Sequence, residues 1–372
     1  EISLGLVGSE MCIRDSPMSR PTLSRRSLLL FGAATLPSLA ACSSGGDPAA
    51  GGSASDAGGD SSAFPVDIAH VYGTTKIPSK PTRIATVSWV NADSLLALNV
   101  LPVGMPKVEW GGNKNASTDW IDAKLKELVA EWGTKNAPKT YSEADGPATD
   151  AIAALAPDLI VAAYSGLTKE QYETLSKIAP TIGPLAPNYT AGWQDVLVAC
   201  GKATGLEPKA MKLVKKLEGE LADVGTENSE VAKSTFIAGN LDTATNAITL
   251  YTAGDTRPRF FAALGMTMAP VVEKNTKDPK TYSLDWTPER ADELDADVFY
   301  TWAAKDSTVK TFQGNALFNQ IPAVKKGSLV LTADDHETLA ISAANALSLP
   351  WAIEHVVPRV VEAAKTAKSA SS

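Results

Sequence analysis

One unit of sequence occurs twice. At residues 150–161 an acid, an Ala-rich helical stretch, Pro157-Asp158 and the apolar run Leu159-Ile160-Val161 follow in order. At residues 289–300 the order returns as Glu289, a helical stretch, Ala296-Asp297 and Val298-Phe299-Tyr300. The spacing from the first acid to the Asp before the apolar run is the same in both copies. A short, wholly apolar run between helical segments predicts a strand buried on both faces, which belongs in a parallel sheet covered by helices. Two copies therefore predict two similar lobes.

The surrounding chain has the same grammar. Residues 83–87 predict a strand, 93–98 a helix, and 100–105 a return to the sheet. Residues 157–163 predict a buried strand, followed by a helix through Leu175 and Ile178 and another strand at 181–185. A second run opens at residues 235–238, and residues 260–266 echo 95–100. Strand–helix alternation of this kind predicts an α/β fold with a parallel sheet in each half. Between the halves, helical periodicity runs through Trp193, Val196, Leu197 and Cys200, then Met211, Val214, Leu217 and Leu221. Gly201, Gly205 and Pro208 should divide this stretch into two helices. The expected division is an N-terminal α/β lobe at 64–191, a linking helix at 192–226 and a C-terminal α/β lobe at 227–372. The fold class is thus two Rossmann-like α/β lobes joined by a rigid backbone helix, with a ligand cleft between them.

The N-terminal residues are of a different kind. Residues 18–26 carry Arg20, Arg25 and Arg26, and residues 27–39 form an apolar stretch too short to cross a bilayer as a helix. Leu39-Ala40-Ala41-Cys42 follows and resembles the lipobox of bacterial lipoproteins, in which the Cys thiol takes a diacylglycerol. Residues 18–41 are therefore expected to be a lipoprotein signal peptide and Cys42 the lipidation site. Arg25-Arg26 suits either the twin-arginine or the general export route. Residues 42–63, rich in Gly, Ser, Ala and Asp, cannot form a core and are expected to act as a flexible tether. Residues 1–17 precede the basic segment in a way that no signal peptide needs, and are expected to be non-native sequence ahead of Met18. The expected location is extracytoplasmic, on the outer face of the cell membrane.

Composition excludes several classes. The formal net charge is -8, and removing residues 1–41, with four Arg against two Glu and one Asp, leaves -9. A nucleic-acid partner would require clustered Lys and Arg. Three cysteines, Cys12, Cys42 and Cys200, provide no disulfide framework once the leader is removed. Cys200, in an apolar helical stretch, is expected to be a small buried hydrophobe. His70, His336 and His355 are scattered, so no metal site and no resident cofactor is expected. His355 is expected to be a partly buried helix residue. No Walker loop, dinucleotide-binding glycine fingerprint or Gly-x-Ser-x-Gly elbow occurs, and no enzymatic activity is expected.

Three motifs carry a family resemblance: residues 156–161, residues 317–327 (Leu-Phe-Asn-Gln-Ile-Pro-Ala-Val-Lys-Lys-Gly) and residues 349–355 (Leu-Pro-Trp-Ala-Ile-Glu-His). With the lobe pattern, they resemble the ABC-importer substrate-binding proteins for iron-siderophores, haem and vitamin B12, over about residues 82–364. Within that family the sequence resembles actinobacterial ferric-siderophore binders. The resemblance implies a ferric siderophore as ligand, ABC importer permease subunits as partners and no resident metal, and a monomer is expected because one ligand and one importer need no more. It also implies an acid on each lobe for permease docking. By motif position these are Asp150, where the family usually has Glu, and Glu289. An acid at a helix N-terminus also opposes the macrodipole, and the two roles can coexist. Haem or a corrinoid on the same fold is an alternative ligand, and a lipoprotein enzyme of cell-wall metabolism is an alternative of another class.

Ligand contacts in such folds sit on loops beyond the carboxyl ends of strands. On that basis the candidate ligand-binding residues are Trp89, Trp110 and Tyr164 in the first half, and Tyr251, Arg257 and Trp302 in the second. A ferric siderophore brings its own iron ligands. The protein then needs only aromatic faces and guanidinium donors. Ordinary packing explains each Trp about as well.

Overall fold

The computed structural model describes residues 61–278, 281–303 and 307–370. Cys42, the leader at 18–41 and residues 1–17 lie outside the described residues, and the tether is described only from Ser61.

The N-terminal half begins with a hairpin absent from the expectation, β1 (Val66–His70) and β2 (Gly73–Ile77), paired antiparallel. Ile68 and Ile77 are buried beneath it. Its alternating pattern around Tyr72-Gly73 was a legible signal. The sheet of this half comprises β3 (Ile84–Thr86), β4 (Gly104–Pro106), β5 (Lys139–Tyr141), β6 (Leu159–Val161) and β7 (Thr181–Ile182), in the order β5-β4-β3-β6-β7. Every pairing is parallel. All three residues of β3 and of β6 are buried, as their continuous apolar runs predict.

The C-terminal half departs from the parallel expectation. It contains β8 (Thr235–Leu241), β9 (Ile248–Tyr251), β10 (Thr267–Met268), β11 (Ser283–Trp286), β12 (Val298–Trp302) and β13 (Leu329–Thr332), in the order β11-β9-β8-β12-β13, with β10 beside β8. β8, β10, β12 and β13 run parallel. β9 is antiparallel to β8, and β11 is antiparallel to β9. The cause is local. The Asp242 carboxylate accepts from the Ala244 amide at 2.8 Å and the Thr245 hydroxyl at 2.6 Å, and Asn246 takes a positive φ of 60°. The chain reverses in a tight turn before a crossover helix can form.

The repeated unit has the same structural task in both halves. The Asp158 carboxylate accepts from the Thr82 amide and hydroxyl, both at 2.8 Å, and from the Arg83 amide at 2.9 Å. Asp297 accepts from the Thr235 amide at 2.8 Å and its hydroxyl at 3.1 Å. In each half the Asp that precedes one central strand thus ties down the start of its neighbour. Register follows directly: Ile84 faces Leu159, and Phe236 faces Val298.

The connection is two helices, Trp193–Thr204 and Glu207–Glu227. Gly205 closes the first in the left-handed region at φ 70°, and Pro208 sits in the first turn of the second. Gly201 does not break the helix. A Cβ there would lie 2.6 Å from the Ala210 Cβ, so this glycine allows the two helices to pack closely. Helix Trp193–Thr204 packs on the N-terminal half, against helix Asn91–Ala97. The 21-residue helix then reaches across, a length of about 30 Å. Lys209 near its start donates to the Leu98 carbonyl at 2.7 Å, and Gly225 near its end lies against the Leu264 carbonyl of the C-terminal half. Cys200 is fully buried and unpaired, and burial pushes its thiol up to about 12. The motif at 317–327 is a packing unit: Phe318, Ile321, Ala323 and Val324 are fully buried, and Gly327 ends helix Pro322–Lys326 at φ 78°.

Candidate ligand-binding cleft

The six candidate residues are brought together where the halves face each other. From the N-terminal half, Trp89 follows β3 and remains 37% exposed. It lies 6.1 Å from the Tyr189 ring in a stacked arrangement, and Tyr189 meets Tyr164 edge-on at 5.5 Å. Tyr164 follows β6 and is only 5% exposed, so it supports this wall more than it lines it. Burial holds the Tyr164 phenol well above its ordinary range, and the charges that act on it are Asp255, Arg257 and Arg259 of the opposite half.

Trp302 ends β12, and its indole N–H donates to the Tyr251 hydroxyl at 2.9 Å. Trp110, from the N-terminal half, meets Trp302 edge-on at 6.3 Å. The Arg257 guanidinium lies 3.4 Å from the centre of the Tyr251 ring, a cation–π geometry. Tyr251 corrects the rule by which it was chosen. It lies on β9, which runs antiparallel to β8, so it is not at the carboxyl end of a parallel strand. It reaches the cleft through its side chain.

Arg257 is not a free cation. Its Nε and Nη2 donate to the two Asp255 carboxylate oxygens, each at 2.7 Å, and its side chain is 14% exposed. Burial works against this charge, but the Asp255 carboxylate outweighs it and holds the guanidinium pKa above its ordinary value. Asp255 also caps helix Thr256–Ala263 by accepting the Arg257 amide at 2.9 Å. The helix cap therefore orients the guanidinium. Two of its five N–H groups are committed to Asp255, and a further side-chain hydrogen bond joins it to Tyr251. Arg259 points elsewhere, donating to Ala253 O at 2.9 Å and across the cleft to Thr190 O at 3.0 Å.

Several residues that sequence reasoning passed over build this wall. Asn91 is fully buried and joins two cleft loops: its amide nitrogen donates to Val87 O, Trp89 O and Tyr164 O, and its oxygen accepts from the Tyr164 amide at 3.0 Å. Ser88 and Val90, on either side of Trp89, take positive φ values of 65° and 56°. The Ser88 amide is held by Glu143 Oε2 at 2.8 Å. Burial raises the Glu143 carboxyl to about 7, the Ser88 amide offsets part of that rise, and Glu109 adds to it. Tyr189 sits in the Pro187-Asn188 turn after β7, a signal of the kind that drew attention to Trp89. Nothing in the sequence pointed to Asn91 or Glu143, because their partners are set by the approach of separate loops.

Beneath Trp89 a narrow recess lies between the halves, lined by Asp93, Val108 and Trp120 on one side and Leu339, Ala343 and Asn345 on the other. Burial raises the Asp93 carboxyl to about 6, against stabilisation by the Trp120 indole N–H at 2.8 Å and the Asn345 side chain. Close by, His336 of the C-terminal half pairs with Gly111 O at 2.7 Å and packs against Trp120 and Trp351. His355 is exposed rather than partly buried, and lies stacked on Trp351 at 4.0 Å. Among the described residues no group of three or more His, Cys, Asp or Glu is placed to hold a metal ion.

Asp150 and Glu289 are both exposed. Asp150 is in the first turn of helix Thr149–Ala154. Glu289 is in the 3-10 stretch Pro288–Glu293, where the non-helical Arg290 interrupts the expected helix and leaves little macrodipole to oppose.

A profile of the family described as periplasmic binding protein matches residues 84–335. The chain belongs to that family. Among periplasmic binding proteins, it is 27% identical over 279 residues to the probable siderophore-binding lipoprotein YfiY of Bacillus subtilis, covering 70% of this chain and 78% of that protein. It is 24% identical over 270 residues to the ferric enterobactin-binding periplasmic protein FepB of Escherichia coli, covering 70% and 82%. The structure of Streptococcus pneumoniae PiaA in complex with ferrichrome matches with a TM-score of 0.73 and 28% identity, over 81% of this chain and 99% of that one.

Proposed function

We propose that this periplasmic binding protein captures a ferric siderophore between its halves and delivers it to an ABC importer. The observation that carries the reading is the convergence of aromatic side chains from both halves, Trp89, Tyr189 and Trp110 with Trp302 and Tyr251, around a fixed guanidinium, Arg257. This lining suits a bulky chelate that brings its own iron coordination, for which the protein needs no metal ligands and no cofactor. The likeness to PiaA bound to ferrichrome and to YfiY supports the same reading. The site acts by binding and not by catalysis. Asp150 and Glu289, exposed at equivalent places in the repeat, are the proposed contacts to the permease. A lipid on Cys42 and the tether at 42–63 would hold a monomer at the outer face of the membrane, near its importer.

Haem suits the burial of the two candidate tyrosines less well. A tyrosine bound to ferric haem must ionise, and burial raises both Tyr164 and Tyr251 above their ordinary range. The deciding experiment titrates the purified chain with ferric hydroxamates, ferric catecholates, haem and cobalamin, following tryptophan fluorescence. Saturable quenching by a ferric chelate is expected. Tight haem binding with no response to any ferric chelate would refute the proposal.

A further inference from the structure

We propose that the cleft selects ferric chelates that are neutral or cationic, as tris-hydroxamates are, and discriminates against triply negative ferric tris-catecholates. This rests on the ferric-siderophore reading above. The argument is one of charge. A hydroxamate carries a single negative charge and a catecholate two, so three hydroxamates neutralise ferric iron, whereas three catecholates leave a trianion. A site that buries a trianion needs uncommitted positive charge, because removing net charge from water costs far more than aromatic contact returns.

The described residues of the cleft do not supply that excess. Among the described residues of the segments that carry its aromatics, of the neighbouring loop at 142–143 and of the recess beneath Trp89, the cations are Lys107, Lys114, Arg257 and Arg259 and the acids are Asp93, Glu109, Glu143 and Asp255. Arg257 is neutralised by Asp255 at 2.7 Å through both oxygens. Asp255 cannot swing away without releasing the Arg257 amide at the helix cap. An incoming anion would therefore compete with a fixed carboxylate for the same guanidinium. Arg259 is engaged with two backbone carbonyls, Ala253 O and Thr190 O. Glu109 is exposed beside Trp110, and Glu143 lies behind Trp89. With Asp93 raised to about 6 and Glu143 to about 7, these described residues stand at neutral pH between charge balance and one net positive charge. The formal charge of the whole chain, -8, further opposes the approach of an anion.

The test uses the full chain and three probes of similar bulk: ferrichrome (neutral), ferrioxamine B (cationic) and ferric enterobactin (trianionic), at fixed ionic strength. The first two are expected to bind at least about 100-fold more tightly than the third. Equal or tighter binding of ferric enterobactin would overturn the proposal while leaving the siderophore reading intact. If none of the three binds, the siderophore reading itself fails and this one with it. Asp255→Asn keeps an acceptor for the helix cap but removes the charge. It should strengthen ferric enterobactin binding by about 10-fold and change ferrichrome little. Glu109→Gln, at an exposed position where the amide oxygen can still accept from the Ser142 hydroxyl, should shift the same ratio in the same direction. An unchanged ratio in both variants would remove the charge argument.

Discussion

At the scale of the residue, the most informative group is Asp93. Its carboxyl is buried, and desolvation raises it from the ordinary 3.8 to about 6. A raised acid favours its protonated form in the folded state. Below the ordinary value both states hold the proton. As pH rises from about 4 to 6, the unfolded chain ionises first and stability is lost. Above that window the folded state bears the whole cost, at most about 3 kcal/mol. This is opposite to the trend of a salt-bridged carboxylate. Asp93→Asn retains an oxygen for the Trp120 indole N–H. It is expected to raise the unfolding free energy at neutral pH and to flatten the pH dependence between about 4 and 6. Urea melts of both proteins across that range check this, and parallel profiles would contradict it. The recess that buries Asp93 is formed by segments far apart in sequence, so no pattern around Asp93 distinguishes it from a solvated helix acid.

At the scale of the element, the paired aspartates before the central strands were legible and their task was not. Their equal spacing from an upstream acid identified a repeat. The hydrogen bonds to Thr82, Arg83 and Thr235 show why an Asp must stand there. Asp158→Ala removes acceptors from two backbone amides and a hydroxyl, and should cost about 1–3 kcal/mol. Asp297→Ala should cost a similar amount, and thermal unfolding of the two variants compares them. A loss confined to one would mean that the two halves do not share this device. Strand direction was less legible. β9 is an apolar run like the others, and the reversal at 242–246 is carried by one Asp carboxylate and one Asn with positive φ. Periodicity reports that a strand is buried and says little about which way it runs.

At the scale of the whole molecule, two side chains among the described residues tie the halves together beside the aromatic wall. Arg259 holds the carbonyl of Thr190, next to Tyr189, and His336 holds that of Gly111, next to Trp110. A Cβ on Gly111 would lie 2.6 Å from the Asp335 carbonyl oxygen, so the backbones themselves touch here. The double variant Arg259→Ala, His336→Ala removes both ties and leaves helix Glu207–Glu227 intact. It should speed amide exchange in residues 108–117 and 187–191 without unfolding either half, as measured by hydrogen–deuterium exchange. Unchanged exchange there would mean that these two side chains do not set the spacing of the halves.

The sequence by itself determined the two α/β halves, the helical connection and the aromatic and guanidinium composition of the candidate cleft. Those features depend on local periodicity and on side-chain chemistry, which are present in any short stretch. Only the tertiary structure decided that β9 and β11 run antiparallel, that Gly201 is a packing contact, and that Asn91 and Glu143 hold the Trp89 loop. It also decided that Arg257 is already paired with Asp255. Each of these depends on which groups approach within a few ångströms once the chain is folded. Hydrogen bonds and ion pairs act at that range, whatever the separation along the sequence.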